Sequence, residues 1–523
     1  MGRGFVKKKF VPFSVLVLAV SVSALIRLFL IIQEQFDGLY GQDPYAYYTY
    51  ATGALRDSIL VFAGPPHFLW PPGYPYLVAA VSFATGLTPA AGQLVSLVTS
   101  LLVPIFTYLL ARELWPSKTG RYWGPALAGL LVTFQGQLWQ SSVVVMADAA
   151  GLAAATGGVW ALARYARPDR SAGWLWLAAA ALAWAVLTRW AYALVAIPVT
   201  LYALYTLWQR PRKTALLHAT GAAVVTLLVL APLFAPVLAF LSGPAGDDPS
   251  FVVDLQVYRW NPLNALRRSF FTADGLLQYR LPNGPYYLTA PAHRFFFTPL
   301  LAGLLVPSLW VSWRKRTVSL LLLLWGWAGV VFLFHAGAPW QNFRFTLAYL
   351  PPLAILVAMG AMQVWLWLGH PRLGESVRRV ARPVFAGALI AGLLWMAWGG
   401  WALTNQFIER KQDNLALISW VEGQAEDETR LLTFNLTLAF QQYSDLDTRE
   451  LFYESPQSLA ELATSDVPIL LLVDVENVAS QWADKAPGEN YRWLRDSLGL
   501  SVIGKRGPYT LFTVRTLGPA GEG

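Results

Sequence analysis

The chain has 523 residues, of which 56% are hydrophobic and only 13% charged, about half the charged share of a soluble domain, so most of it belongs in a membrane. Its formal charge of +9 (39 Lys+Arg against 30 Asp+Glu) is carried largely in clusters between apolar runs, where basic residues set topology, and so is no sign of nucleic-acid binding. Cysteine is absent, which excludes disulfides and thiolate metal sites.

Lys7, Lys8 and Lys9 precede an apolar run from Val11 to Ile32, long enough to span a bilayer and followed by no small-residue cleavage site. It is expected to be a retained first helix, with Arg27 near its far end snorkelling towards the interface. A loop at 33–90 follows, almost without Lys or Arg. It carries Asp43 in a ladder of tyrosines (Tyr40, Tyr45, Tyr47, Tyr48, Tyr50), then His67, Trp70 and the proline pairs Pro65-Pro66 and Pro71-Pro72, the second running into Gly73-Tyr74-Pro75. Loops of this length between spans are more often functional than connecting.

Further apolar runs lie at about 91–111, 122–140, 143–163, 172–188, 190–208, 214–241, 294–313, 317–335, 345–368 and 383–404. These predict a polytopic α-helical membrane protein of about eleven transmembrane helices, occupying 1–404. The basic clusters Arg112/Lys118/Arg121, Arg164/Arg167/Arg170, Arg210/Arg212/Lys213, Arg314/Lys315/Arg316 and Arg372/Arg378/Arg379/Arg382 then share one face with the N-terminal lysines. That face is cytoplasmic by the positive-inside rule. The other face receives the first loop, turns near Gln135–Ser142 and Thr188–Arg189, a large loop at 242–292, and His335–Phe343. An odd span count also puts the tail, 405–523, outside. There the charge rises and the apolar runs shorten to strand length at Leu431–Phe434, Ile469–Val473 and Tyr509–Val514, with helical patterns at 406–423 and 457–464. A small extracytoplasmic α/β domain is expected.

Carboxylates near the spans are few. Asp43 lies close to the outer interface and Asp148 at the outer end of a span, in SSVVVMADAAGLAAA, where a charge must face a cavity or a partner. Both are candidates for catalysis, as a general base and its polar partner, and for holding a divalent metal ion. Asp37, Asp57, Asp247, Asp248, Asp254 and Asp274 read as solvated loop charges. Arg189, Arg294 and Arg344 are isolated cations on the side that normally lacks them, suited to a phosphate. His67, Tyr45, Trp70 and Tyr74 complete the candidate substrate contacts. No Walker or dinucleotide glycine motif occurs, so nucleotide binding has no support.

The outer Asp43, followed by WPPGYPYLVAAVSFATG, MADAAGLAAATGGVWALARYARP, WAVLTRWAYALVAIP and NFRFTLAYLPPLAIL in this order, resembles membrane glycosyltransferases of the GT-C fold. The likeness is to the group of protein O-mannosyltransferases and lipid A aminoarabinose transferases and covers about 10–404. It implies a polyprenyl-phosphate-linked sugar donor, an acceptor that is a glycan, lipid or protein, and inverting transfer on the extracytoplasmic face of the plasma membrane. The family's first-loop Asp then corresponds to Asp43, its acidic residue at the fourth span to Asp148, and its later arginines to Arg189 and Arg344. Two departures stand out. Asp43-Pro44 replaces the Asp-Glu pair of many mannosyltransferases and is closer to oligosaccharyltransferase catalytic subunits, whose WWD signature the tail lacks. Trp70 stands where many members place His or Lys before the proline pair. The other classes consistent with this sequence are a transporter or flippase of polyprenyl-linked glycans, disfavoured because no internal repeat is seen, and a non-catalytic membrane subunit.

Overall fold

Backbone groups in lipid must find partners within their own segment, so apolar runs become helices. A computed structural model describes residues 2–66, 68, 70–116, 120–168, 170–242, 259–465 and 467–515, the side chains of 2–10 and 235–242 excepted. Most of the eleven apolar runs fall on helical segments, but the expected span 294–313 begins in turns at 294–297 and divides into Thr298–Ala302 and Leu305–Lys315. Among the described residues six helices are long and apolar enough to cross a membrane: Val11–Gln33, Ala90–Leu114, Arg212–Leu233, Val318–Gly337, Phe343–Leu368 and Glu375–Glu422. A seventh arises if Gly136–Val143 and Asp148–Tyr165, bent by 119° at their junction, count together. Trp123–Thr133, Gly173–Thr188 and Tyr192–Trp208 are apolar but shorter. At 16 residues, Gly173–Thr188 extends about 24 Å, less than a hydrocarbon core of roughly 30 Å.

The departures from the sequence pattern have local causes. The expected single run 122–140 breaks at Phe134. The turn anticipated at Gln135–Ser142 is instead a buried helix, Gly136–Val143, whose N-cap Gln135 accepts a bond from the Leu138 N–H. Arg27 does not snorkel. It is 2% exposed, and its guanidinium bonds Ser100 Oγ (2.9 Å), Ser23 Oγ (3.1 Å) and the Ser23 carbonyl (3.0 Å) and lies over the Trp139 ring. Partners within the bundle made the interface unnecessary. The first loop is largely helical, with Gln42–Thr52, Ala54–Leu60 and Gly73–Thr85.

The chain divides into two units. The larger, 1–38, 47–266 and 282–405, holds the helix bundle, whose core runs through Leu152, Val159, Trp327, Ile355 and Met396. Small residues allow close helix approach there: a Cβ on Gly360 would overlap the Leu304 carbonyl oxygen.

The smaller unit joins 39–46, 267–281 and 406–523. Five of its strands form one sheet: β3 (Arg430–Thr433), β4 (Asp447–Glu450), β5 (Ile469–Asp474), β6 (Leu500–Arg506) and β7 (Tyr509–Val514), in the order β4-β3-β5-β7-β6. β3 pairs in parallel with β4 and β5, while β7 runs antiparallel to both β5 and β6. Central β5, ILLLV before Asp474, parallel to β3 and antiparallel to β7, is buried on both faces, and its unbroken apolar run matches that burial. Two further strands, β1 (Ser269–Thr272) and β2 (Gly275–Gln278), form a hairpin. It is tied to the tail by Leu276 N–H donating to the Gln481 carbonyl (2.8 Å) and Gln481 Nε2 donating to the Asp274 carbonyl (2.7 Å).

Candidate active site

The site in the larger unit begins with a break in a helix. Between Gly136–Val143 and Asp148–Tyr165 the chain is extended at Val144. Such a break is tolerable at membrane depth only if buried protein groups satisfy its backbone. Val145 N–H donates to the Gly38 carbonyl (3.1 Å), and Gln93 Nε2 donates to the carbonyls of Val143 (3.0 Å) and Phe36 (2.7 Å). Ser96 Oγ accepts from Met146 N–H (3.3 Å), and Tyr74 holds that serine at 2.9 Å while donating to the Gly92 carbonyl (3.0 Å). The break delivers Asp148 to the first turn of the next helix, where the dipole favours a negative charge.

Two arginines converge on that carboxylate. Arg189 caps the C-terminus of Gly173–Thr188, its N–H donating to the Ala185 carbonyl (2.8 Å), and its Nη1 donates to Asp148 Oδ1 (2.5 Å). Arg344 opens a 3-10 helix, Phe343–Tyr349, whose N-cap Asn342 accepts from the Arg344 N–H (3.0 Å). Its Nε lies 3.7 Å from Asp148 Oδ2, beyond hydrogen-bond reach, and its Nη1 lies 2.8 Å from Met146 Sδ. Glycines permit the approach: a Cβ on Gly73 would meet the Leu187 carbonyl oxygen at 2.7 Å, and one on Gly151 the Tyr192 ring at 2.5 Å.

Aromatic rings floor the cluster. Phe345 lies under both guanidinium groups, 5.7 Å from Arg189 and 6.0 Å from Arg344. Buried His335 stacks on Phe345 at 5.0 Å and meets Tyr287 at 5.4 Å. The Asp148 side chain is 4% exposed, those of Arg189 and Arg344 19% and 21%. The accessible edge is therefore guanidinium, and two cations against one carboxylate leave it positive. Such an edge suits a phosphate, which offers arginine planar two-pronged contacts.

Asp148, Arg189 and Arg344 are thus brought together. The sequence reading assigned the arginines to a phosphate and missed that Asp148 anchors both. Asp43, in the first turn of Gln42–Thr52, and Tyr45 belong to the smaller unit. Tyr45 is buried, its hydroxyl accepting from Lys411 Nζ (3.0 Å). Tyr74 is fully buried behind the Asp148 break, and Trp70 packs on Tyr47 (5.1 Å) and Phe68 (5.5 Å). Arg294 is exposed, with its guanidinium over the Phe295 ring. His67 lies outside the described residues. Phe345, His335 and Ser96 were not foreseen; a histidine inside an apolar run, such as His335, was the available signal.

A divalent metal does not fit Asp148, whose oxygens already face two guanidinium groups that would repel it. Among the described residues no three His, Cys, Asp or Glu side chains gather as a metal site.

Residues 70–239 match the dolichyl-phosphate-mannose-protein mannosyltransferase family. The chain is similar to ArnT from Cupriavidus metallidurans bound to undecaprenyl phosphate (TM-score 0.62, 16% identity, 98% of each chain). It is also similar to that protein's apo state (TM-score 0.60, 16% identity, 96% of this chain and 98% of that). The archaeal oligosaccharyltransferase AglB from Archaeoglobus fulgidus, in complex with an inhibitory peptide and a dolichol-phosphate, is a third (TM-score 0.53, 14% identity, 96% and 74%). No curated protein matches the chain. The fold shared along the length of ArnT is the GT-C fold expected from the sequence.

Proposed function

We propose that the chain, a membrane glycosyltransferase of the GT-C fold in the group of the protein mannosyltransferases and ArnT, moves a sugar from a polyprenyl-phosphate donor to an acceptor at the extracytoplasmic face. The observation that carries this reading is the positive edge formed by Arg189 and Arg344 on Asp148. An acceptor hydroxyl attacks the anomeric carbon, and the bond to the phosphate oxygen breaks with its electron pair leaving on the phosphate. Arg189 and Arg344 neutralise that developing charge, the largest electrostatic task of the reaction. Asp148 holds the two guanidinium groups, and Phe345 supports them from below. Asp43 takes the proton of the acceptor, and its attack on the face opposite the leaving phosphate, in a single displacement, inverts the sugar.

The assay is release of polyprenyl phosphate by purified protein from a panel of radiolabelled polyprenyl-phosphate sugars. Release that depends on added acceptor is expected for at least one donor. Binding or membrane translocation of every donor without cleavage would replace this reading with that of a flippase.

A further inference from the structure

The segment carrying Asp43 is held by the tail. Within the smaller unit, residues 39–46 are fastened on both sides of Asp43. Before it, the Tyr40 ring stands edge-on to Phe407 (4.6 Å) and Gln42 Nε2 donates to Asn435 Oδ1 (2.7 Å). Asn435 adopts the left-handed conformation, φ 69°, one of the few side chains that tolerates it. After it, buried Tyr45 meets Tyr443 edge-on (6.1 Å) and accepts from Lys411 Nζ (3.0 Å). Lys411 is itself only 4% exposed, and its ammonium sits 3.7 Å from the Tyr443 ring centroid.

A buried ammonium is an expensive way to fill space. Where it contributes little to stability, an apolar residue of similar volume does as well. What a lysine supplies and methionine does not is direction: a hydrogen bond to the Tyr45 hydroxyl and cation–π contacts with the Tyr45 (5.3 Å) and Tyr443 rings, which set where Tyr45, two residues beyond Asp43, must sit. We propose that Lys411 is a positioning residue for the reaction, fixing the carboxylate of Asp43 through Tyr45, so that the tail takes part in catalysis. This inference rests on the reading of Asp43 as the group that takes the acceptor's proton.

The test compares Lys411→Met, Lys411→Arg and Asp43→Asn in purified full-length protein, measuring kcat, donor KM and thermal unfolding. For Lys411→Met, kcat should fall about 10- to 100-fold, as for a misplaced catalytic group. Donor KM should stay unchanged, because the phosphate is held by Arg189 and Arg344, and the unfolding midpoint should stay near wild type. Lys411→Arg should recover part of kcat. In the Asp43→Asn background Lys411→Met should cost nothing further. If Tyr45 left without its donor weakens folding, the Tyr45→Phe/Lys411→Met pair removes both polar groups, and its kcat must still be low. An inactive Asp43→Asn beside a folded Lys411→Met of wild-type kcat overturns the positioning role alone. An active Asp43→Asn overturns the role of Asp43 itself.

Discussion

At the scale of single residues, Asp148 and its arginines make ion pairing and ligand binding separable. Removing Arg189 leaves a buried carboxylate short of a partner, which costs about 3–5 kcal/mol. It should also weaken donor binding, since a charge-assisted hydrogen bond is worth about 1.5–3 kcal/mol, or roughly 10- to 150-fold. The Arg189→Ala/Asp148→Asn double variant should therefore regain stability relative to Arg189→Ala without regaining donor affinity. Thermal unfolding and donor titration on the same samples check this; recovery of both together would make Arg189 a structural anchor. Arg344→Ala should raise donor KM more than Arg344→Lys, which keeps charge but loses the planar fork. Asp43→Asn should abolish transfer in folded protein. A variant retaining more than about a tenth of the rate would remove it as the base, since general base catalysis contributes about 10²–10⁴-fold.

Elements place these residues through close backbone approach. A methyl group on Gly73 would meet backbone at Leu187, two residues before Arg189, and backbone cannot swing aside. Gly73→Ala should cost about 1–3 kcal/mol and lower turnover by shifting Arg189. Gly387→Ala, in the helix Glu375–Glu422 with nothing within 4 Å, should be neutral or slightly stabilising by unfolding midpoint. In the smaller unit, burial pushes the Glu450 carboxyl above its ordinary 4.5, partly offset by the hydrogen bond from Thr437 Oγ1 (2.9 Å). A raised carboxyl favours the protonated native state. Its stabilisation is full below the ordinary value and is lost as pH rises through the raised one. Glu450→Gln should flatten that part of the stability–pH curve, and an unchanged slope in acid unfolding would assign it to other groups.

Across the whole molecule, topology is the decisive quantity. Basic clusters after alternate apolar runs call for a cytoplasmic N-terminus and an outer tail. A periplasm-active reporter fused after Gly523 should be active, and one that works only in the cytoplasm should be silent. The reverse pattern would put the smaller unit and Asp43 on the wrong face for a lipid-linked donor used outside.

Apolar runs, basic clusters and the inner strands were written into the chain itself. Lipid rewards uninterrupted hydrophobicity, and β3, β5 and β7 are apolar at 431–432, 469–473 and 511–512, where they are most buried. The edge strand β4, with the sequence DTRE, carries no such run, and the apolar pair Val502-Ile503 of edge strand β6, at its bulge, is exposed, because an edge is half in water. Tertiary structure alone decided that helices break at Gln135 and Val144, that Arg27 turns inward to Ser100, and that Asp148 meets Arg189 across 41 residues. A charge in an apolar segment announces that it needs a partner, but which partner depends on which helices pack together. That is set by small residues such as Gly73 and Gly151, whose importance lies in what they leave room for.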